Sequence, residues 1–163
     1  MAILLLRIDE RLIHGQVVVA WGSQLRPNRI IVVDDALAAS EWEQELYCLG
    51  LPPAITAEFA SVEAARLQLP SWSGAADGVF VLTRDVATML RLARDGLLRG
   101  ADVNIGGIHH APDRREVLPY VFLSLADADR LRELVAEGAT VSARDLPSTR
   151  QVTLDQLLQG GQR

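Results

Sequence analysis

Eleven residues near the start of the chain place two arginines, two carboxylates, a histidine and a glycine within one short stretch, Arg7-Ile8-Asp9-Glu10-Arg11-Leu12-Ile13-His14-Gly15-Gln16-Val17. A neutral imidazole is nucleophilic near pH 7 and can attack a phosphoryl donor without a separate strong base. Charge stays on the phosphoryl oxygens during transfer, so the protein has mainly to supply fixed donors around them. Arg7, Arg11 and the backbone amides of Gly15, Gln16 and Val17 are donors of that kind, and Gly15 leaves room for an anion to approach. On this reading His14 carries a phosphoryl group. Asp9 would repel a phosphate, so its use is to orient Arg11 or to hold His14 in one tautomer. Each residue also has a plain structural reading: a histidine ahead of a helix, a solvated arginine, a strand-end aspartate. Glu10 reads as solvated.

Other residues offer weaker chemistry. Asp34-Asp35 has the look of a metal-ligand pair, but aspartates ahead of a helix more often cap it. Thr83 either donates its hydroxyl to a phosphate or caps the helix that follows. Gly106-Gly107 is too short for a dinucleotide fingerprint; it turns backbone amides toward the site or makes an ordinary turn. His109 and His110 are adjacent, and neighbouring histidines rarely face one ion; no HExxH and no third soft ligand accompany them. No metal and no cofactor is expected.

These residues need a frame. Apolar runs predict strands at 2–8, 29–33, 55–59, 79–82, 103–105, 120–123 and 140–143. Helices are predicted at 15–25, 36–49, 61–69, 86–94, 125–138 and 154–158, with Ser61 and Ser124 as helix starts. Residues 70–78 and 111–116 read as loops. Strands alternating with helices argue for one α/β domain, residues 1–159, with a mainly parallel sheet flanked by helices on both faces and a frayed tail at 160–163. Ligands in such sheets bind beyond the carboxyl ends of the strands. That rule gathers the loops bearing Asp9 to His14, Asp34-Asp35, Thr83-Arg84 and Gly106 to His110.

The chain of 163 residues is 49% apolar, enough to build one core. No apolar run approaches the roughly 20 residues of a membrane helix, and no secretory leader is visible. Cys48 is the single cysteine, which excludes a disulfide framework and suits a cytosolic protein. A net charge of −5 argues against a nucleic-acid partner. All sixteen basic residues are arginine, so P-loop, Schiff-base and other lysine chemistry is excluded.

The stretch from Arg7 to Val17 closely resembles the RIDDRLIHGQV signature of the IIB components of the mannose/fructose/sorbose class of the bacterial phosphoenolpyruvate-dependent sugar phosphotransferase system. Further matches follow at Asn28 to Val33, Val103 to Gly107, Val141 to Pro147 and Val152 to Leu154. The resemblance implies a cytosolic phosphocarrier, associated peripherally with a membrane permease, on a sheet of about seven strands. The first-loop histidine, matched by His14, would accept a phosphoryl group at Nδ1 from a phosphohistidine of the IIA component. It would then pass the group to a sugar held by the membrane components IIC and IID, a protein-phosphohistidine–sugar phosphotransferase activity. Arg11 matches the arginine that contacts the phosphoryl group, and Asp9 the acidic residue that supports the loop. A regulatory phosphoprotein of the same fold is the alternative. Glu10 stands where the family usually has Asp, and Asp34 where many members have Asn or Ser. Residues 52–78 match weakly, and the sugar and any homo-oligomer are left open.

Overall fold

The computed structural model describes residues 2–160. In chain order the strands are β1 (Ile3–Ile8), β2 (Arg29–Val33), β3 (Thr56–Ala60), β4 (Val79–Thr83), β5 (Asp102–Ile105), β6 (Arg115–Leu118), β7 (Val121–Leu123), β8 (Thr140–Ala143) and β9 (Val152–Thr153). Seven of them form one sheet, β3-β2-β4-β1-β5-β8-β9, parallel throughout except for β9. The expected architecture and strand number hold, but the membership differs. The predicted strand at 120–123 pairs with β6 in a separate antiparallel hairpin, and the seventh place is taken by β9. Neither difference has a strong sequence signal. The β6 run Arg-Glu-Val-Leu is half polar, and β9 is only two residues long.

Central strands are buried on both faces, which is why β4 reads as an unbroken apolar run. Along β1 and β2, side chains alternate between two cores. Leu6, Ile8, Ile31 and Val33 pack under α4 (Val62–Ser73), α5 (Val86–Ala93) and α6 (Leu125–Ala136). Leu5, Ile30, Val32, Phe80 and Leu82 pack on the other face against Val17, Trp21 and Leu37. These last three come from a π-helical turn, Gln16–Trp21, that continues as α1 (Gly22–Leu25), and from α2 (Asp35–Ala38).

Local departures have local causes. The predicted helix at 36–49 is two helices, α2 and α3 (Glu41–Cys48), divided where Ser40 is extended. The helix predicted to stop before Pro70 continues to Ser73, since Leu69 and Trp72 on either side of the proline are both buried in the core. Ser61 caps α4 as expected, and Ser124 caps α6 in a reciprocal box with Asp127. The tail at 161–163 lies outside the described residues, and Gly160 is the last residue of α7 (Leu154–Gly160). Among the described residues no helix is long and apolar enough to cross a membrane.

Register fixes the site's location. Thr83 lies level with Ile8 and Val33, and Ile105 with Ile8 and Ala143. The loops that begin at Asp9, Asp34, Arg84, Gly106 and Arg144 therefore leave the sheet along one edge.

Candidate functional site

The centre of that edge is Asp9, whose side chain is fully buried. Its carboxylate accepts six hydrogen bonds. Oδ1 takes the Arg11 backbone N–H (3.0 Å) and Arg11 Nε (3.1 Å). Oδ2 takes Arg7 Nε (3.3 Å), Arg7 Nη2 (3.1 Å), Arg11 Nη2 (3.1 Å) and the Gly107 N–H (3.1 Å). Burial alone would raise the carboxyl pKa; the bonds from Arg11, the charge of Arg7 and the two backbone amides reverse this and hold it below the usual range. Asp9 is an anion at neutral pH and the organiser of the loop.

Arg7 is the second buried charge. Beyond Asp9, its Nη1 donates to Asn104 Oδ1 (2.5 Å) and the Arg144 carbonyl (2.9 Å), and its Nη2 to the Asp145 carbonyl (3.1 Å). The guanidinium also lies over the Trp21 ring, 5.4 Å from its centroid. Burial pulls its pKa down, with Asp9 opposing. Every N–H is engaged by protein, so Arg7 is no phosphate ligand in this arrangement, contrary to the sequence expectation. Its position, facing Asn104 across the β1–β5 pair, explains why: the side chain points into the sheet face, not out of the loop.

Arg11 is the arginine that faces outward, its side chain 33% exposed. Nη2 also donates to Gln16 Oε1 (2.9 Å), while Nη1 makes no hydrogen bond among the described residues. Gln16 thus acts through its side chain on Arg11. Val17 is fully buried, so only its amide is available to a ligand. The first bond into the helix runs from the Val18 N–H to the His14 carbonyl (3.0 Å), and the amides of Gly15, Gln16 and Val17 make no backbone hydrogen bond among the described residues. A Cβ built on Gly15 would meet nothing within 4 Å, so the chain is uncrowded at this residue.

His14 sits between these groups. Its Nδ1 is 2.8 Å from the Leu12 carbonyl. A carbonyl only accepts, so in the neutral ring Nδ1 carries the proton and Nε2 the lone pair. Nε2 is buried, lies 3.7 Å from Asp9 Oδ2 and has no hydrogen-bond partner among the described residues. Burial, aided by Arg11 and Arg7, lowers the His14 pKa; the Leu12 carbonyl and Asp9 oppose without prevailing. The imidazole is accordingly neutral at pH 7. Leu12, the residue that supplies the carbonyl, has φ +54° and is fully buried. A left-handed leucine costs about 1–3 kcal/mol, and such strain gathers at working loops.

The double glycine is explained by this packing. A Cβ on Gly106 would overlap the Arg7 guanidinium and the Asp9 carboxylate, and one on Gly107 would crowd Arg11. Gly106 donates to the Ile8 carbonyl (2.8 Å), and Glu10 N–H donates to the Gly107 carbonyl (2.9 Å). The Gly-Gly pair is therefore a close-approach element that aims the Gly107 amide at Asp9.

Three expectations need correction. Thr83 is fully buried and its hydroxyl donates to the Asp85 carbonyl (3.2 Å), so it neither faces a phosphate nor caps α5; the cap is Asp85, which accepts from the Thr88 N–H (2.8 Å). Glu10 is not solvated. It bonds His109 Nδ1 (2.8 Å), the His109 N–H (3.1 Å) and Arg114 (2.5 Å), tying the His14 loop to the loop after β5. Arg7 is the third, as described. Asp34 and Asp35 act as caps and ion-pair partners: Asp34 accepts from the Leu37 N–H (2.9 Å) and pairs with Arg84 (3.3 Å), while Asp35 holds the Val62 N–H and Arg91. Burial would lower the Arg84 pKa; Tyr47 and Asp34 beside it raise it instead. His109 and His110 diverge, the latter meeting Phe122 edge-on, and no group of three metal-ligating side chains occurs among the described residues. Asn104, Trp21 and the carbonyls of Arg144 and Asp145 belong to the site's support and went unread. Once β1 and β5 are known to be neighbours, the register alone brings Asn104 beside Arg7.

A family model described as the PTS system sorbose subfamily IIB component matches residues 3–163. The N-acetylgalactosamine-specific phosphotransferase enzyme IIB component 1 of Escherichia coli is 32% identical over 153 residues, covering 89% of this chain and 91% of that protein. The mannose-specific EIIAB component of the same organism is 30% identical over 161 residues, 97% of this chain but 49% of that longer protein. Among solved structures, the IIB domain of the sorbose permease from Klebsiella pneumoniae superposes with a TM-score of 0.85 at 30% identity, covering 98% of each chain.

Proposed function

Since this chain belongs to the sorbose subfamily of phosphotransferase-system IIB components, we propose that it is the phosphocarrier of a sugar uptake system, with His14 as the carrier residue. A phosphohistidine on a IIA component gives up its N–P bond as a new N–P bond forms on His14. That bond breaks in turn when a hydroxyl oxygen of a sugar, held by membrane components IIC and IID, takes the phosphoryl group and releases its proton. The chain then acts on the cytoplasmic side of the membrane. Nothing in either step calls for a metal or cofactor.

The observation that carries the reading is the state of His14: a neutral ring in the mouth of the Asp9–Arg7–Arg11 network, next to unbonded first-turn amides. Arg11 is the residue placed to follow charge on the phosphoryl oxygens, through its outer Nη1. Asp9, Arg7 and Gln16 are positioning residues that hold Arg11 and the loop. The ring orientation adds a requirement. Transfer at Nδ1 demands the other neutral tautomer, with the proton on Nε2 and Nδ1 free of the Leu12 carbonyl, so the ring turns about Cβ–Cγ before or during uptake.

The test is phosphorylation with phosphoenolpyruvate and the upstream phosphotransferase proteins, followed by assay for an acid-labile, base-stable phosphate. One phosphate on the parent chain and none on His14→Ala is expected; label retained by that variant would sink the proposal. Arg11→Ala should take up phosphate about 10–1000-fold more slowly with its fold intact, because the lost interaction belongs to the transition state.

A further inference from the structure

Between Arg29 and Arg66 stand seven carboxylates and no arginine, lysine or histidine. Asp34, Asp35 and Glu58 pair with Arg84, Arg91 and Arg29, so the acidic character of this segment rests mainly on Glu41, Glu43 and Glu45 of one helix. That helix is α3, at the middle of the segment, and it has no buried side chain. One side of α3 is tied down: Gln44 Nε2 donates to the carbonyls of Leu37 (2.9 Å) and Ala38 (3.2 Å), and the Tyr47 ring sits 6.5 Å from that of Phe59. The other side turns Trp42, Leu46 and Leu49 to solvent at 66%, 57% and 82% exposure. These positions are i, i+4 and i+7, one continuous stripe along the helix, and the exposed Glu41 and Glu45 accompany it. An apolar stripe facing water is a surface awaiting cover.

Its place relative to His14 matters. The Asp34 loop that leads into α2 and α3 leaves the sheet two strands from the His14 loop, about 10 Å away at ordinary strand spacing. Between them stands Arg84, paired with Asp34. The segment that leads into α3 and the His14 loop thus leave the sheet along the same edge.

We propose that the Trp42–Leu46–Leu49 stripe is the docking surface for the cytoplasmic loops of the sugar-bearing membrane partner, an inference that rests on the phosphocarrier reading. The occupant must bring apolar contacts and positive charge together. Cytoplasmic loops of membrane proteins are enriched in lysine and arginine, which meets the second demand. An anionic lipid surface would be repelled by the same carboxylates that attract such loops. A second copy of this chain would set acidic segment against acidic segment. Docking through α3 then delivers phosphorylated His14 to the sugar side along the shared edge.

The experiment uses the full chain and inverted membrane vesicles carrying the co-expressed IIC and IID components, with matched vesicles lacking them. Co-sedimentation measures binding, and phosphate uptake from IIA is measured in parallel. The parent chain is expected to bind only vesicles that contain IIC and IID. Trp42→Ser with Leu46→Ser should weaken that binding about tenfold or more, the effect of removing anchors from an interface, and leave uptake on His14 unchanged. Glu41→Gln with Glu45→Gln, which spares the stripe, should weaken binding and flatten its salt dependence. Binding unaffected by both variants overturns the inference, and so does binding to vesicles without IIC and IID. Loss of uptake from IIA would assign the stripe to the donor, and loss of a homodimer would assign it to a second copy; either overturns it as well. A parent chain that binds the vesicles but takes no phosphate on His14 would instead refute the phosphocarrier reading alone.

Discussion

Asp9→Asn is the sharpest test of the loop's architecture, because it changes one atom's chemistry and almost no volume. The carboxylate receives two donors on Oδ1 and four on Oδ2. An asparagine keeps one acceptor oxygen and presents an N–H₂ in place of the other, so whichever way the amide turns, at least two donors face a donor. The fully buried Arg7 also loses its counter-ion. Removing one member of a buried ion pair typically costs about 3–5 kcal/mol, since the remaining charge is left uncompensated. Against a total stability of about 5–15 kcal/mol this is a large fraction. For a chain of this size it corresponds to a fall in Tm on the order of 10 °C. The assay is urea unfolding at pH 7 beside phosphate uptake under conditions where the variant is still folded. Uptake should fall too, because Arg11 loses one or two of its three bonds to this side chain, depending on which way the amide turns. Pairing the change with Arg7→Met should recover part of the loss, as coupled sites do. An Asp9→Asn protein within about 1 kcal/mol of the parent, with a parallel denaturant slope and full uptake, would refute the account.

Four further predictions rest on the same geometry. Gly106→Ala should destabilise by about 1–3 kcal/mol or more, measured by urea unfolding, because the added methyl has only the Arg7–Asp9 pair to displace. Thr83→Val should leave phosphate uptake unchanged and cost about 1 kcal/mol, since its hydroxyl bonds only its own chain; a marked loss of uptake would return Thr83 to the site. Phosphate uptake should be flat from pH 6.5 upward and fall only below it, because the lowered His14 pKa keeps the ring neutral there. Stability should respond to acid in the same sense. His14 and Asp9 both bind protons more weakly when folded than when unfolded, so their contributions are complete above pH 6.5 and about 4 respectively and are lost as pH falls. A stability maximum below pH 5 would contradict this.

The sequence by itself determined the scaffold and the location of the chemistry. Unbroken apolar runs such as Val79 to Leu82 read as strands buried on both faces, and their alternation with amphipathic stretches points to a parallel α/β sheet. Because loops of such a sheet gather at the carboxyl edge, Asp9 to His14 and Gly106-Gly107 could be brought together before any coordinate was known. What the tertiary structure decided was the direction in which each side chain works. Arg7 and Arg11 are four residues apart and chemically identical, yet one lies on a strand facing Asn104 and is consumed by the interior. The other lies in the loop with an edge left free. Thr83 and Glu10 exchanged their expected roles for the same reason: burial and partners are set by neighbouring strands and loops distant in sequence. The resting tautomer of His14 was likewise fixed by one carbonyl of a left-handed leucine, a backbone conformation that no residue type announces.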